Sequence, residues 1–240
     1  MMTVRQALLP EFSSNRLLAT LSAGDIDRLR PHLERIALTQ GRTLHKAHAP
    51  LDHVYFPDTG IVSLIRPLKD GATIEVGLLG REGMVGTMLL TGANTTPLEA
   101  MAQMPGSAWR LPATVLLETM ERHPGFKASL FRFAQALLLQ IYQSAACNGR
   151  HTLEQRLARW LLMVRDRVDR DELPLKHEFI SLLLGTRRPS ISVAIAGFKA
   201  AGLVATGHGY IVMLDRQGLE RTACECYRTI LDQSRGLMRD

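Results

Sequence analysis

Leu175-Lys-His-Glu-Phe-Ile-Ser-Leu-Leu-Leu-Gly-Thr-Arg-Arg-Pro-Ser-Ile-Ser-Val193, continuing through Ala200-Ala201-Gly202-Leu203-Val204 to Leu214, decides how this 240-residue chain is read. Apolar residues recur at helical spacing on both sides of Gly185, which predicts two helices, Lys176–Leu184 and Arg187–Ala201, meeting at a glycine turn. Ile180, Leu183 and Leu184 are expected to pack on Ile191, Ile195 and Phe198. Thr186 is placed to cap the second helix, and Pro189 is tolerated in its first turn, where N–H groups have no intrahelical partner. Beyond Gly202, the β-rich runs Leu203–Thr206 and Tyr210–Leu214 flank Gly207-His208-Gly209 and read as a hairpin. Helix, glycine turn, helix, hairpin is the order of a winged helix-turn-helix.

Charge supports a polyanion partner. Residues 1–122 carry 12 basic and 12 acidic side chains, whereas residues 123–240 carry 17 and 11, so the net +6 lies wholly in the second half. Between Leu175 and Gly209, Lys176, Arg187, Arg188 and Lys199 face one acid, Glu178, a net of +3. Paired arginines at a helix start suit phosphate oxygens and guanine O6/N7, which guanidinium reaches with two hydrogen bonds. Arg188, Ser190 and Ser192 are the expected base-edge readers, while Lys176, His177, Arg187 and Lys199 suit phosphates, and Thr186 belongs to the same expected DNA-binding set. His208, at the hairpin tip, is a further candidate for the backbone or minor groove. The competing reading is a solvated face on a helical bundle.

Other classes drop out. The longest apolar runs, such as Ala136–Leu139, fall far short of the ~20 residues of a membrane span. Met1–Pro10 lacks the apolar core and cleavage site of a signal peptide. Three cysteines (Cys147, Cys224 and Cys226) are too few for a disulfide scaffold and show no CxxC pairing, so a reducing cytoplasm is expected. No phosphate loop, metal-spaced His/Cys set or nucleophile elbow appears, and neither metal nor cofactor is expected. Cys147 and His151 are spaced i, i+4, a chance-level dyad and weak support for an enzyme. Cys224 and Cys226 suggest at most a thiol switch.

Upstream, Asn15–Leu21 and Ser22–Leu38 read as short helices, the second capped by Ser22 with Asp25 and Asp27 in its first turn. Short β runs follow at Val54–Phe56, Ile61–Ile65, Thr73–Leu78 and Ala108–Leu111. Pro57-Asp58-Thr59-Gly60, Lys69-Asp70-Gly71 and Met104-Pro105-Gly106 separate them as turns, Asp70-Gly71 being a strong hairpin signal. The texture is that of a small antiparallel sandwich or roll. A long helix runs from Pro124 to about Asn148, with Leu130, Ala134, Leu137, Ile141 and Ser144 at seam spacing. This stripe suits either a dimer seam or a single-chain core, with Leu138, Leu139 and Tyr142 forming a second face able to pack on the roll. His151–Val168 is another helix, striped by Leu153, Leu157, Trp160, Leu161 and Val164, and Asp169-Arg170-Asp171-Glu172-Leu173-Pro174 reads as a linker.

The quoted helix-turn-helix segment closely resembles the DNA-binding domain of Crp/Fnr-type bacterial transcription regulators. The resemblance extends to His53-Val-Tyr-Phe-Pro57 and Gly60-Ile-Val-Ser-Leu64 as sensor-roll strands, and to Gly80-Arg-Glu-Gly-Met-Val-Gly86 as the loop where the family holds a ligand phosphate. His151-Thr-Leu-Glu-Gln-Arg-Leu-Ala-Arg-Trp-Leu-Leu162 is similar to the helix after the family's dimer helix, and Cys226-Tyr227 resembles one of its subgroups.

The pattern also departs from the family's. Cyclic-AMP binders place Gly-Glu-Leu and then Arg-Ser on the roll; here Gly86 precedes Thr87 and Met88, and the arginine region reads Asn94-Thr95-Thr96-Pro97-Leu98-Glu99. The adenine-contacting pair aligns with Ile141 and Tyr142. The resemblance therefore implies a degenerate pocket around Gly83, Gly86, Thr87, Met88 and Thr96 that does not bind cyclic AMP tightly. Oxygen sensors of the family use four cysteines, and this chain has none before Cys147. In the recognition helix, Pro189 and Val193 stand where well-known members carry an acid and an arginine.

The expectation is an α+β protein: an N-terminal antiparallel, jelly-roll-like and cyclic-nucleotide-binding-like β-roll (1–122), a dimerisation helix (123–149) and a winged helix-turn-helix domain (150–240). Its expected role is that of a cytoplasmic, homodimeric, sequence-specific DNA-binding transcription regulator on a two-fold operator, and not an enzyme. Expected partners are double-stranded DNA, a second copy and, by resemblance, RNA polymerase. The effector is left open, the alternative being a constitutive, ligand-free roll serving protein–protein contact.

Overall fold

The computed structural model describes residues 13–237. The signal-peptide reading of Met1–Pro10 lies outside them. Of the described residues, 13–64 and 79–136 form one compact unit, the first, and 65–78 and 137–236 the second.

In the first unit, Ser22 caps α1 (Ala23–Leu29) by accepting the Asp25 N–H. The helix stops there, short of the predicted Leu38. Pro31 sits in a 3-10 turn, Arg30–His32, and Glu34–Leu38 is a strand, β1. Ile36 and Leu38 are buried while Arg35 and Ala37 are exposed, the alternation of a half-buried strand rather than a helix. Then come β2 (Thr43–His45), β3 (His53–Pro67), whose last residues begin the second unit, β4 (Thr73–Leu79), which lies almost wholly in the second unit, and β5 (Glu99–Pro112). Within the first unit the sheet runs β1-β5-β3, with β2 also paired to β5. The β1–β5 pairing is antiparallel, with Ile36 opposite Ala108. Phe56, Ile61, Val62, Met104, Ala108 and Leu111 fill the core.

Two predicted turns are strand interior. Pro57-Asp58-Thr59-Gly60 lies inside β3 and Met104-Pro105-Gly106 inside β5. Asp58 is buried without penalty because it accepts from Ser13 Oγ at 2.9 Å and the Ser14 N–H at 2.6 Å. Glycine serves close backbone approach here: a Cβ on Gly60 would lie 2.7 Å from the Met104 carbonyl, and one on Gly106 would overlap that of Thr59. The Asp70-Gly71 hairpin forms, but with a wider loop. Leu68 N–H bonds to the Ala72 carbonyl, only Gly71 has positive φ, and Asp70 instead accepts the Ala72 N–H through its side chain.

Helix α2 (Ala113–Arg122) is followed by α3 (Pro124–Arg150) and α4 (Leu153–Val168). Thr152 and Gln155 form a reciprocal capping box at the start of α4, and Asp169 ends it with φ of 54°. Leu157, Trp160, Leu161 and Val164 are buried as the stripe predicts, whereas Leu153 is half-buried. The expected linker contains a short strand, β6 (Glu172–Leu173). It joins β7 (Val204–Gly207) and β8 (Tyr210–Met213) in a sheet ordered β6-β8-β7. Between them lie α5 (His177–Leu183) and α6 (Arg188–Ala200); α7 (Arg216–Thr222) and α8 (Cys226–Leu237) close the chain. Tyr227, buried, donates to Asp166 and accepts from Arg216, each at 2.7 Å, which fixes α8 in this unit.

Candidate nucleic-acid interface

Helices α5 and α6 pack through the expected residues: Ile180, Leu183, Leu184, Ile191, Ile195 and Phe198 are all buried. Gly185, with φ of +60°, makes the reversal. The residue entering α6 is Arg187, not Thr186. Pro189 fixes the helix start at Arg188, Arg187 takes the N-cap position, and no side chain caps the helix. Thr186 instead donates its N–H to the Ser181 carbonyl.

With the apolar face of α6 buried, its other face carries Arg188, Pro189, Val193, Ala196 and Gly197 into solvent. Arg187, Lys199 and Lys176 are exposed, as is His208 in the two-residue turn between Gly207 and Tyr210, which are paired. Arg188 Nε donates to Glu178 Oε1 at 2.9 Å. His177 Nδ1 and Ser192 Oγ lie 3.0 Å apart, so these two candidates bond each other across α5 and α6. Ser190 is half-buried. A surface of guanidinium and ammonium groups around an uncapped helix N-terminus is one that phosphate oxygens and base edges can meet. Val193 is 71% exposed, a large apolar residue that packing does not account for. In the sequence it stands where well-known family members carry an arginine, and its signal is an apolar residue on the polar face.

The Crp-like helix-turn-helix domain family matches residues 155–222, and the cyclic nucleotide-binding domain family matches residues 35–123. The chain belongs to the Crp/Fnr family of transcription regulators. Solved structures share its fold. FixK2 from Bradyrhizobium japonicum aligns with a TM-score of 0.70 and 20% identity over 80% of this chain and 98% of its own. The c-di-GMP-responsive global regulator CLP of Xanthomonas campestris gives 0.67 and 17% over 81% and 100%. A CRP/FNR-family regulator from Thermus thermophilus gives 0.64 and 21% over 79% and 98%. No curated protein sequence matches significantly.

In this Crp/Fnr regulator the roll positions singled out above are packed as follows. Gly83 is buried against the Phe133 ring, which a Cβ would strike. Gly86, at φ of +102°, opens the 3-10 turn Thr87–Thr91, in which Thr87 is half-buried and Met88 exposed. Thr96 is buried, its Oγ1 accepting the Leu98 N–H at 3.2 Å. Glu99 accepts from Thr43 Oγ1 at 2.9 Å. Nearby, His45 Nε2 lies 2.8 Å from the His53 carbonyl, and burial pushes its pKa below the usual 6.5.

Of the two alternatives for the seam-spaced stripe of α3, the chain's burial is that of a single-chain core, while Leu138 and Tyr142 of the second face, expected to pack on the roll, are exposed and Leu139 is half-buried. Leu130, Leu137 and Ser144 are buried by the chain itself, and Ala134 and Ile141 are half-buried. The outward residues are Phe131, Leu138 (45% exposed) and Tyr142 (60% exposed). Both stripes satisfy seam spacing one residue apart, and the chain's own apolar core claims the first.

Two pairs that the sequence gives separately, Cys147 with His151 and Cys224 with Cys226, come together in the structure. Cys147, His151, Cys224 and Cys226, which show no metal-ligand spacing in the chain, are gathered so that one donor atom from each lies within 4.8 Å of the others.

Proposed function

We propose that this regulator acts as a homodimer that reads a two-fold operator through α6, with recognition helices about 34 Å apart. The observation that carries this reading is the uncapped start of α6, where exposed Arg187 and Arg188 adjoin exposed Val193. Arg188 suits a guanine edge, and Val193 suits the methyl group of thymine. Lys176, Arg187 and Lys199 suit phosphates, and His208 the backbone beyond the hairpin. His177 and Ser192 position each other rather than both reaching bases. The second copy packs along Phe131, Leu138 and Tyr142, an exposed apolar stripe on a 27-residue helix.

The roll serves as a sensor or dimerisation module that does not hold cyclic AMP tightly. Thr87 stands where cyclic-AMP binders carry the Glu of Gly-Glu-Leu, and Glu99 would repel a phosphate. Action is by binding rather than catalysis, in the cytoplasm, with RNA polymerase as the downstream partner. Among the described residues no helix is long and apolar enough to cross a membrane.

Affinity for promoter and random DNA, compared as salt rises, tests the reading. Promoter DNA is expected to bind more tightly, with a log–log slope of about −0.9 per neutralised phosphate. Equal affinity for both would refute sequence-specific regulation.

A further inference from the structure

We infer that Cys147, His151, Cys224 and Cys226 form a four-coordinate site for a single thiophilic divalent metal ion, zinc in the first place. Cys147 Sγ and Cys224 Sγ lie 3.4 Å apart, Cys226 Sγ and His151 Nδ1 3.6 Å, and the four donor atoms are within 4.8 Å of one another. Zinc–sulfur bonds of about 2.3 Å at tetrahedral angles put neighbouring donors about 3.8 Å apart. The cluster is thus within an ångström of tetrahedral geometry. An iron–sulfur cluster would spread its ligands over several irons and needs a wider set. All four positions are filled by protein donors, which makes the site structural rather than catalytic.

The donors come from two places in the second unit. Cys147 is in the last turn of α3 and His151 follows just past its end, its N–H bonded to the Cys147 carbonyl, which brings the two side chains together. Cys224 and Cys226 flank Glu225 where α7 gives way to α8. All three cysteines are free and buried.

The surroundings are those of a metal site. Glu225 Oε1 lies 3.2 Å from His151 Nε2. The carboxylate accepts a hydrogen bond from Nε2–H, which leaves the Nδ1 lone pair facing the thiols, the carboxylate–histidine arrangement that orients metal-bound imidazole. Gln143 Nε2 donates to Cys226 Sγ at 3.0 Å. Three thiolates, a neutral imidazole and a divalent ion leave one negative charge. Arg159, only 4% exposed, has an Nε with no hydrogen-bond partner, and its charge acts on Cys147. Arg156 carries a second positive charge that responds to Cys147 and Cys224. Each coordinating thiol gives its proton to solvent as the ion binds. The bound ion would pin the start of α8 to the end of α3.

The test uses the full chain purified under reducing conditions. Elemental analysis is expected to find one zinc per chain after dialysis. Replacement by Co2+ should give sulfur-to-cobalt charge transfer and the intense visible bands of a tetrahedral thiolate site. Cys147→Ser and Cys226→Ser should each abolish stoichiometric metal, and Glu225→Gln should weaken it by about 10–100-fold. If the serine variants fail to fold, wild-type stoichiometry and the cobalt spectrum decide. Substoichiometric zinc with no cobalt–thiolate band would overturn the assignment. Neither readout depends on DNA binding.

Discussion

Arg188 Nε donates to Glu178 Oε1 at 2.9 Å, which joins the first turn of α6 to that of α5. Both side chains are well exposed, so the pair contributes little stability. Its weight lies in aim: Glu178 holds the guanidinium at the helix start and places a carboxylate where phosphates must approach.

Glu178→Gln should therefore tighten binding to random DNA by about two- to fivefold, the loss of one surface repulsion. Specificity should fall, because Arg188 is no longer aimed. Arg188→Ala should cost about 1–3 kcal/mol on the operator and relax preference at one base pair if the arginine reads guanine. Anisotropy titrations on operator and random duplexes separate the two effects.

Val193→Ala should weaken operator binding by about three- to tenfold, the scale of one lost apolar contact of about 1 kcal/mol. The salt slope should stay unchanged and discrimination should fall at a single thymine. A changed salt slope would place Val193 away from the base edges.

Leu138→Glu should convert a dimer to monomer in analytical ultracentrifugation, while Leu130→Ala should lower stability by about 2–5 kcal/mol, since Leu130 is fully buried within the chain. A monomer produced by Leu130→Ala with wild-type stability would restore the original seam.

Stability should depend on His45. Burial lowers its folded pKa below 6.5, opposed in part by the bond to the His53 carbonyl. The unfolded chain then binds the proton more readily, so the His45 contribution is fully present above pH 6.5 and is lost as pH falls toward the folded pKa. Urea unfolding between about pH 7.5 and about pH 5.5 should show this fall, and His45→Gln should flatten it.

What the sequence made legible was local. The α5–α6 pair was readable because its spacing, Gly185 and Pro189 act within a short stretch of chain. The sheet was harder. Pro57-Asp58-Thr59-Gly60 and Met104-Pro105-Gly106 carry turn residues, yet they lie opposite each other in β3 and β5, where glycine serves close approach. Only pairing between strands far apart in the chain reveals that. Glu34–Leu38 likewise becomes a strand because β5 offers it a partner. On α3, two stripes one residue apart both fit seam spacing, and burial chooses between them. The cysteine cluster joins residues 77 positions apart, Cys147 and Cys224, which no spacing rule connects.

Selection of bound sequences from a random DNA pool tests the central claim most directly. The predicted result is enrichment of a two-fold symmetric site whose half-sites are centred about 10 base pairs apart. Recovery of unrelated sequences with no shared, symmetric element would contradict it.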